Sequence, residues 1–151
     1  MKTLLVLLIS IACIVGDCAS YFTKMENIGN ETIDLEPIEF CSNPPGCIPP
    51  ETLVKGESAG HGPFRDDIQK KITIKWKVLE TGKVYTQEIA VKLPNGFYNP
   101  EWTSDIIFYI NPNREKAWIV YKIFDENEDN YVIVDSEGKP FPIDDYADDE
   151  E

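Results

Sequence analysis

Lys71–Val78 reads KITIKWKV, and this stretch decides the fold class. Ile72, Ile74, Trp76 and Val78 alternate with Lys71, Thr73, Lys75 and Lys77, giving one apolar and one cationic face. Successive side chains of a β-strand point to opposite faces, so a period of two marks a strand buried on one side. Glu80-Thr81-Gly82-Lys83 supplies a turn. Val84–Leu93 then sets Tyr85, Ile89, Val91 and Leu93 opposite Thr86 and Glu88. A hairpin is expected.

Two runs further on are apolar at nearly every position: Asp105–Ile110 (DIIFYI) and Ala117–Phe124 (AWIVYKIF). Such strands suit the middle of a sheet covered on both faces. Asn111-Pro112-Asn113-Arg114 between them has turn chemistry, and Asp125–Asn130 (DENEDN) leads to a short closing strand at Tyr131–Val134. No long amphipathic helix competes with these segments. The expected fold is all-β, a small antiparallel β-sandwich or partly open barrel of about five to seven strands in a meander, over residues 63–138. Strands apolar on both sides need cover on each. Packing of residues 36–55 across one face is the simplest cover, ahead of pairing between two copies or an enclosed apolar ligand.

The chain has 151 residues, 42% hydrophobic and 11% aromatic, enough for one folded domain. A net charge of −13 disfavours nucleic acid and anionic membrane surfaces, both of which select basic proteins. That charge is uneven. Residues 21–58 hold seven acidic residues against Lys24 and Lys55, and residues 59–143 hold thirteen against eleven basic. Residues 144–151 (DDYADDEE) hold six acidic and none basic. The middle is therefore nearly balanced, and the excess lies on its flanks. Residues 21–62, with Pro37, Pro45, Pro49 and Pro50, read as an irregular acidic arm with short extended pieces at Ile38–Phe40 and Thr52–Lys55. Gly56–Pro63 (GESAGHGP) reads as a turn-rich break.

Residues 1–20 carry one Lys, an apolar run from Leu4 to Val15 and then small residues, the layout of a secretory signal peptide. The run is short of the ~20 residues a spanning helix needs. A secreted, extracellular protein is expected. Cleavage after Cys18, Ala19 or Ser20 leaves Cys41 and Cys47, which an oxidising compartment would join across CSNPPGC. Cleavage after Gly16 would keep Cys18 as an odd third thiol. Asn30-Glu31-Thr32 is the only N-x-[ST] sequon, making Asn30 the glycan acceptor.

Signals for catalysis are sparse. His61, in Gly60-His61-Gly62-Pro63, is the sole histidine. The chain has no Gly-x-Ser-x-Gly elbow, phosphate loop, HExxH or paired-cysteine metal spacing. No enzyme, cofactor or metal is expected. Asp125-x-Asn127-x-Asp129 is similar to the opening of a calcium loop, but Asn130 stands at the glycine position and Ser136 at the bidentate glutamate. It reads as a solvated hairpin tip. The row Lys71, Lys75 and Lys77 reads as a solvated outer face.

The C-terminus carries the functional signal. In Lys139–Glu151 (KPFPIDDYADDEE), Pro140 and Pro142 resist regular structure, and clustered carboxylates extend a chain by repulsion. A flexible tail over 139–151 is expected. Phe141, Ile143 and Tyr146 would anchor it in a basic groove, with Asp144, Asp145, Asp148 and Asp149 speeding encounter. Tyr146, flanked by acids, is a candidate for sulfation. The interleaving of Phe141, Ile143 and Tyr146 with carboxylates resembles the acidic tails of hirudin-like thrombin inhibitors, over these residues alone and with Pro before the Ile. The expected function is a secreted, non-enzymatic protein that binds a basic extracellular protein, as a monomer or weak homodimer. What the resemblance implies instead is a protease inhibitor acting on a basic exosite. A carrier of small apolar ligands is the third reading.

Overall fold

Lys71–Val78 alternates in space as it does in sequence: Ile72, Ile74, Trp76 and Val78 are buried, while Lys71, Thr73 and Lys77 are exposed. The structure, a computed structural model, describes residues 20–40, 47–64, 67–95, 97–98, 102–125, 130–135, 137 and 139–148. For residues 47, 102, 103, 124, 125 and 130–132 only the backbone is described. Residues 1–19 of the expected signal peptide, Cys41 and the tip at 126–129 lie outside these residues, and the expected Cys41–Cys47 pairing lies outside them with Cys41.

The strands among the described residues are β1 (Tyr21–Asn27), β2 (Ile33–Leu35), β3 (Ile38–Glu39), β4 (Cys47–Ile48), β5 (Glu51–Leu53), β6 (Ser58–Phe64), β7 (Lys71–Val78), β8 (Val84–Ala90), β9 (Trp102–Asn111), β10 (Lys116–Asp125) and β11 (Asn130–Asp135). They form a five-stranded sheet ordered β11-β10-β9-β1-β6, a four-stranded sheet ordered β5-β2-β7-β8, and a small β3-β4 ladder. The all-β class holds. So do the β7–β8 hairpin, with Trp76 opposite Tyr85, and the β9–β10–β11 meander, with Ile107 opposite Val120.

Two expectations are corrected on the N-terminal side. The supposed irregular arm contributes a central strand, since β1 pairs parallel with β9 and antiparallel with β6. It buries Tyr21, Thr23, Met25 and Asn27, and the two polar members hide its period of two. The supposed break at 56–63 mostly forms β6, the edge strand beside β1. Strand count and topology therefore exceed a five-to-seven-stranded antiparallel meander.

The inner faces of the two larger sheets share one apolar cluster, in which Tyr21, Met25, Trp76, Phe108, Ile119 and Tyr121 meet. Residues 36–55 cover this side through Ile38, Phe40, Ile48 and Leu53. Polar side chains tie the sheets at both edges. The Gln87 amide on β8 donates to Ala117 O at 2.9 Å and accepts from Ala117 N at 2.8 Å, continuing the ladder of β10 where β11 does not reach. On the other edge His61 Nε2 lies 3.1 Å from Glu51 Oε1, joining β6 to β5.

Two core atoms are badly placed, Trp76 Nε1 and the Tyr121 hydroxyl. The Tyr121 hydroxyl is buried with no well-formed hydrogen bond among the described residues, although the Lys92 backbone lies close enough to oppose the rise that burial causes in its pKa. An unpaired buried polar group costs about 1–3 kcal/mol. Tyr121→Phe should therefore stabilise the protein by about 1 kcal/mol, seen at pH 7 as a higher urea midpoint at unchanged m-value.

β9 and β10 are covered on both faces, as their composition requires. Ile106, Phe108, Ala117 and Ile119 belong to the shared core, whereas Ile107, Tyr109, Trp118 and Val120 point the other way. The cover on that second face comes from Phe141, Ile143, Tyr146 and Ala147.

Candidate functional site

The chain turns back on itself at the end of β11. Asp135 Oδ1 accepts from Glu137 N at 2.8 Å and Lys139 N at 2.9 Å, and Asp135 N donates to Lys139 O at 2.8 Å. Aspartate is suited to this because its short carboxylate reaches backbone amides two to four residues on. Pro140 then bridges antiparallel to Val134, and residues 141–148 run over the outer face of the five-stranded sheet.

Aromatic rings hold the segment down. Phe141 stacks on Tyr109 with centroids 5.6 Å apart at 6°, and Tyr146 stacks on Phe141 at 4.4 Å and 10°. Trp118 meets Tyr146 edge-on at 5.1 Å. These separations lie close to or within the range favoured by aromatic pairs. Ile143–Asp145 forms a single 3-10 turn, with Asp145 N donating to Pro142 O and Tyr146 N to Ile143 O.

Three further bonds clamp its backbone. Asn111 Nδ2 donates to Tyr146 O at 2.9 Å, Arg114 Nη1 to Asp145 O at 2.8 Å, and Asp148 N to Ile28 O at 3.0 Å. Arg114 Nε also lies 3.6 Å from Asp148 Oδ1. Asn111 is fully buried, and its Oδ1 accepts from Asn113 N and Arg114 N. One side chain thus organises the β9–β10 turn and grips the segment. Tyr109, beneath Phe141 and only 6% exposed, has its hydroxyl pushed up to about 12 by burial, with the Glu26 charge acting in the same direction.

The flexible tail is therefore corrected over 139–148. Phe141 is buried, and Ile143 and Tyr146 are half-buried against the protein's own sheet, so the three expected anchors already have partners. Carboxylate repulsion does not prevent docking because Asp144 and Asp145 stay exposed and Asp148 meets Arg114. Asp149 lies outside the described residues. Tyr109, Asn111, Arg114 and Trp118 form the platform. Their signal in the sequence was the doubly apolar pair of strands, whose second face demanded a cover.

The remaining candidates are dispersed. Asn30 is exposed in the loop after β1, its backbone N donating to Asn113 Oδ1 at 2.6 Å. His61 sits on β6 rather than in a loop, paired with Glu51. Among the described residues no three His, Cys, Asp or Glu side chains are placed to hold a metal, and no helix is long and apolar enough to cross a membrane. A surface groove of about 320 Å³ separates the docked segment from β1, with Ile28, Ile143 and Ala147 apolar and Glu26, Asp144 and Asp148 acidic, beside Lys55. No protein-family model matches the chain, and no curated protein matches it.

Proposed function

We propose that this is a secreted, non-enzymatic binding protein that offers a preformed acidic surface to a basic extracellular protein. The observation that carries the reading is the exposure of Asp144 and Asp145 on a turn whose backbone is clamped by Asn111, Arg114 and Ile28. A fixed turn loses little conformational freedom on binding, and paired carboxylates steer a basic partner toward it. The acidic rim of the adjacent groove extends the same surface.

The rest of the reading fits around that surface. Two sheets with a common core, tied at both edges, support a small sandwich or partly open barrel as the scaffold. Exposure of Asn30 suits a glycan, and the residue pattern at 1–20 suits export. The outer sheet face is covered by the chain's own segment, which favours a monomer. An exosite-directed inhibitor needs Phe141, Ile143 and Tyr146 free, and their docking weighs against it as the resting form.

Neutralising the exposed charges tests this better than truncation, because deletion would strip the cover from Tyr109 and Trp118. The double variant Asp144→Asn/Asp145→Asn should bind members of a heparin-binding protein panel on the order of fivefold more weakly at low salt, with a shallower salt dependence. Unchanged affinity across the salt series would sink the proposal.

A further inference from the structure

The groove of about 320 Å³ beside the clamped turn joins two chemistries. Ile28 on the β1 side and Ile143 and Ala147 on the segment's side are apolar, while Glu26, Asp144 and Asp148 bring carboxylates to it. Its walls are fixed before anything binds. Ile28 N donates to Ile110 O at 2.9 Å, and Ile28 O accepts from Asp148 N at 3.0 Å, which ties one wall to the other. Gly56 N donates to Asn27 O at 3.0 Å, and the buried Asn27 amide donates to Glu31 O and Leu53 O.

The carboxylates are incompletely matched. Glu26 pairs with Lys24 at 2.9 Å, whereas Asp144 has no ion pair among the described residues. Asp148 gives only Oδ1 to Arg114, at 3.6 Å, and its Oδ2 is buried without a hydrogen-bond donor. A charged oxygen withdrawn from water and left without a donor is costlier than a neutral one, so the site gains by receiving a donor. Lys55 borders the groove as well, yet it joins none of these carboxylates in an ion pair among the described residues.

We infer that the groove takes an arginine side chain of the basic partner. A guanidinium is planar and weakly hydrated, so it lies against Ile28, Ile143 and Ala147 while its edge donates to Asp144 and Asp148. The compact, strongly hydrated ammonium of lysine makes poor use of apolar walls. Lys55 acts against the incoming cation from the rim. This rests on the acidic-surface reading for its partner and names the side chain that the partner inserts. The clamped backbone stays where it is, and the groove is ready-made.

N-acetyl-arginine amide and N-acetyl-lysine amide carry the same charge and serve as probes, titrated into the full chain with backbone amide shifts as the readout. The arginine amide should give saturable shifts at residues 28, 29, 55, 56 and 143–148, and bind on the order of threefold more tightly than the lysine amide. Glu26→Gln should weaken it about threefold and Lys55→Gln should tighten it about threefold. Glu88→Gln is the control, because Glu88 on β8 pairs with Lys71 as Glu26 pairs with Lys24, and it should change nothing. At matched ionic strength the arginine amide should also displace the panel protein that binds the unaltered chain most tightly. Equal affinity for the two amides, or equal weakening by Glu88→Gln and Glu26→Gln, would overturn the groove by reducing it to diffuse charge. Arginine amide bound without displacing the panel protein would overturn it as the partner's contact. In each case Asp144→Asn/Asp145→Asn still decides the acidic-surface reading by itself. If no panel member binds the unaltered chain, that reading falls and takes the partner's arginine with it. If Glu26→Gln fails to fold, the comparison of the amides and Lys55→Gln carry the test.

Discussion

Between pH 10 and pH 12 the folded state should lose on the order of 5 kcal/mol. Tyr109 and Tyr121 are both buried, and burial pushes each hydroxyl up to about 12. In the unfolded chain both titrate near 10. Below pH 10 neither state ionises them, so they add nothing to the pH dependence. Above it the unfolded chain binds fewer protons than the folded one, and stability falls as pH rises through the folded value. A gap of that size corresponds to roughly 3 kcal/mol for each residue. Domain stabilities are typically about 5–15 kcal/mol, so the two together are enough to unfold a marginal domain. Urea midpoints measured from pH 8 to pH 12 would show the decline, and Tyr109→Phe/Tyr121→Phe should largely flatten it. A flat curve in the unaltered chain would mean that neither hydroxyl is withdrawn from water. The two tyrosines also report on different places. Tyr109 lies under Phe141 whereas Tyr121 lies between the sheets, so Trp118→Ala should move the Tyr109 titration toward 10 and leave that of Tyr121 in place.

The elements legible in the sequence were those whose burial is carried by apolar side chains. KITIKWKV, DIIFYI and AWIVYKIF each write their environment directly, as one covered face or two. β1 does not, because hydrogen bonds replace apolar contact at two of its buried positions. Asn27 Nδ2 donates to Glu31 O and Leu53 O, and Thr23 Oγ1 donates to His61 O. A polar side chain satisfied by backbone is as buried as a leucine, yet it interrupts any pattern read from hydrophobicity. The pairing of β1 with β9 joins residues some eighty positions apart, and no local signal marks that. β6 was hidden for another reason. Its Ser, Gly, His and Pro residues have low strand propensity, and the ladder to β1 holds them extended.

At the C-terminus two sequence signals competed. Six carboxylates in the last eight residues argue for solvation, and Asp144 and Asp145 do remain in water. Repulsion between exposed, screened charges is worth about 1 kcal/mol or less, whereas burying a phenylalanine side chain contributes about 1.5–3 kcal/mol. Phe141 with Ile143, Tyr146 and Ala147 therefore outweighs the charge, provided an apolar face is free to receive them. The doubly apolar strands supply that face. Charge composition describes what the segment shows to water, and the strands decide where its backbone lies.

Gly29→Ala should cost about 3 kcal/mol or more, the larger of two glycine effects that can be compared directly. A Cβ at position 29 would sit 2.5 Å from Pro112 Cδ, 2.6 Å from Asn113 Oδ1 and 2.8 Å from Asn111 Oδ1. None of the three can yield cheaply. The proline ring is rigid, Asn113 Oδ1 accepts from Asn30 N, and Asn111 Oδ1 accepts from Asn113 N and Arg114 N. Relief of the clash therefore breaks hydrogen bonds, each worth about 0.5–1.5 kcal/mol, beyond the overpacking itself. Asn111 also grips Tyr146 O, so the damage should reach the docked segment. Gly56→Ala is the comparison. Its Cβ would meet nothing within 4 Å, and the cost is confined to a φ of +71°, about 1 kcal/mol. Urea unfolding of both variants gives the ranking, and amide exchange at 141–148 should quicken in Gly29→Ala alone. Equal costs, or undisturbed exchange at 141–148 in Gly29→Ala, would show that the loop after β1 does not press on the β9–β10 turn.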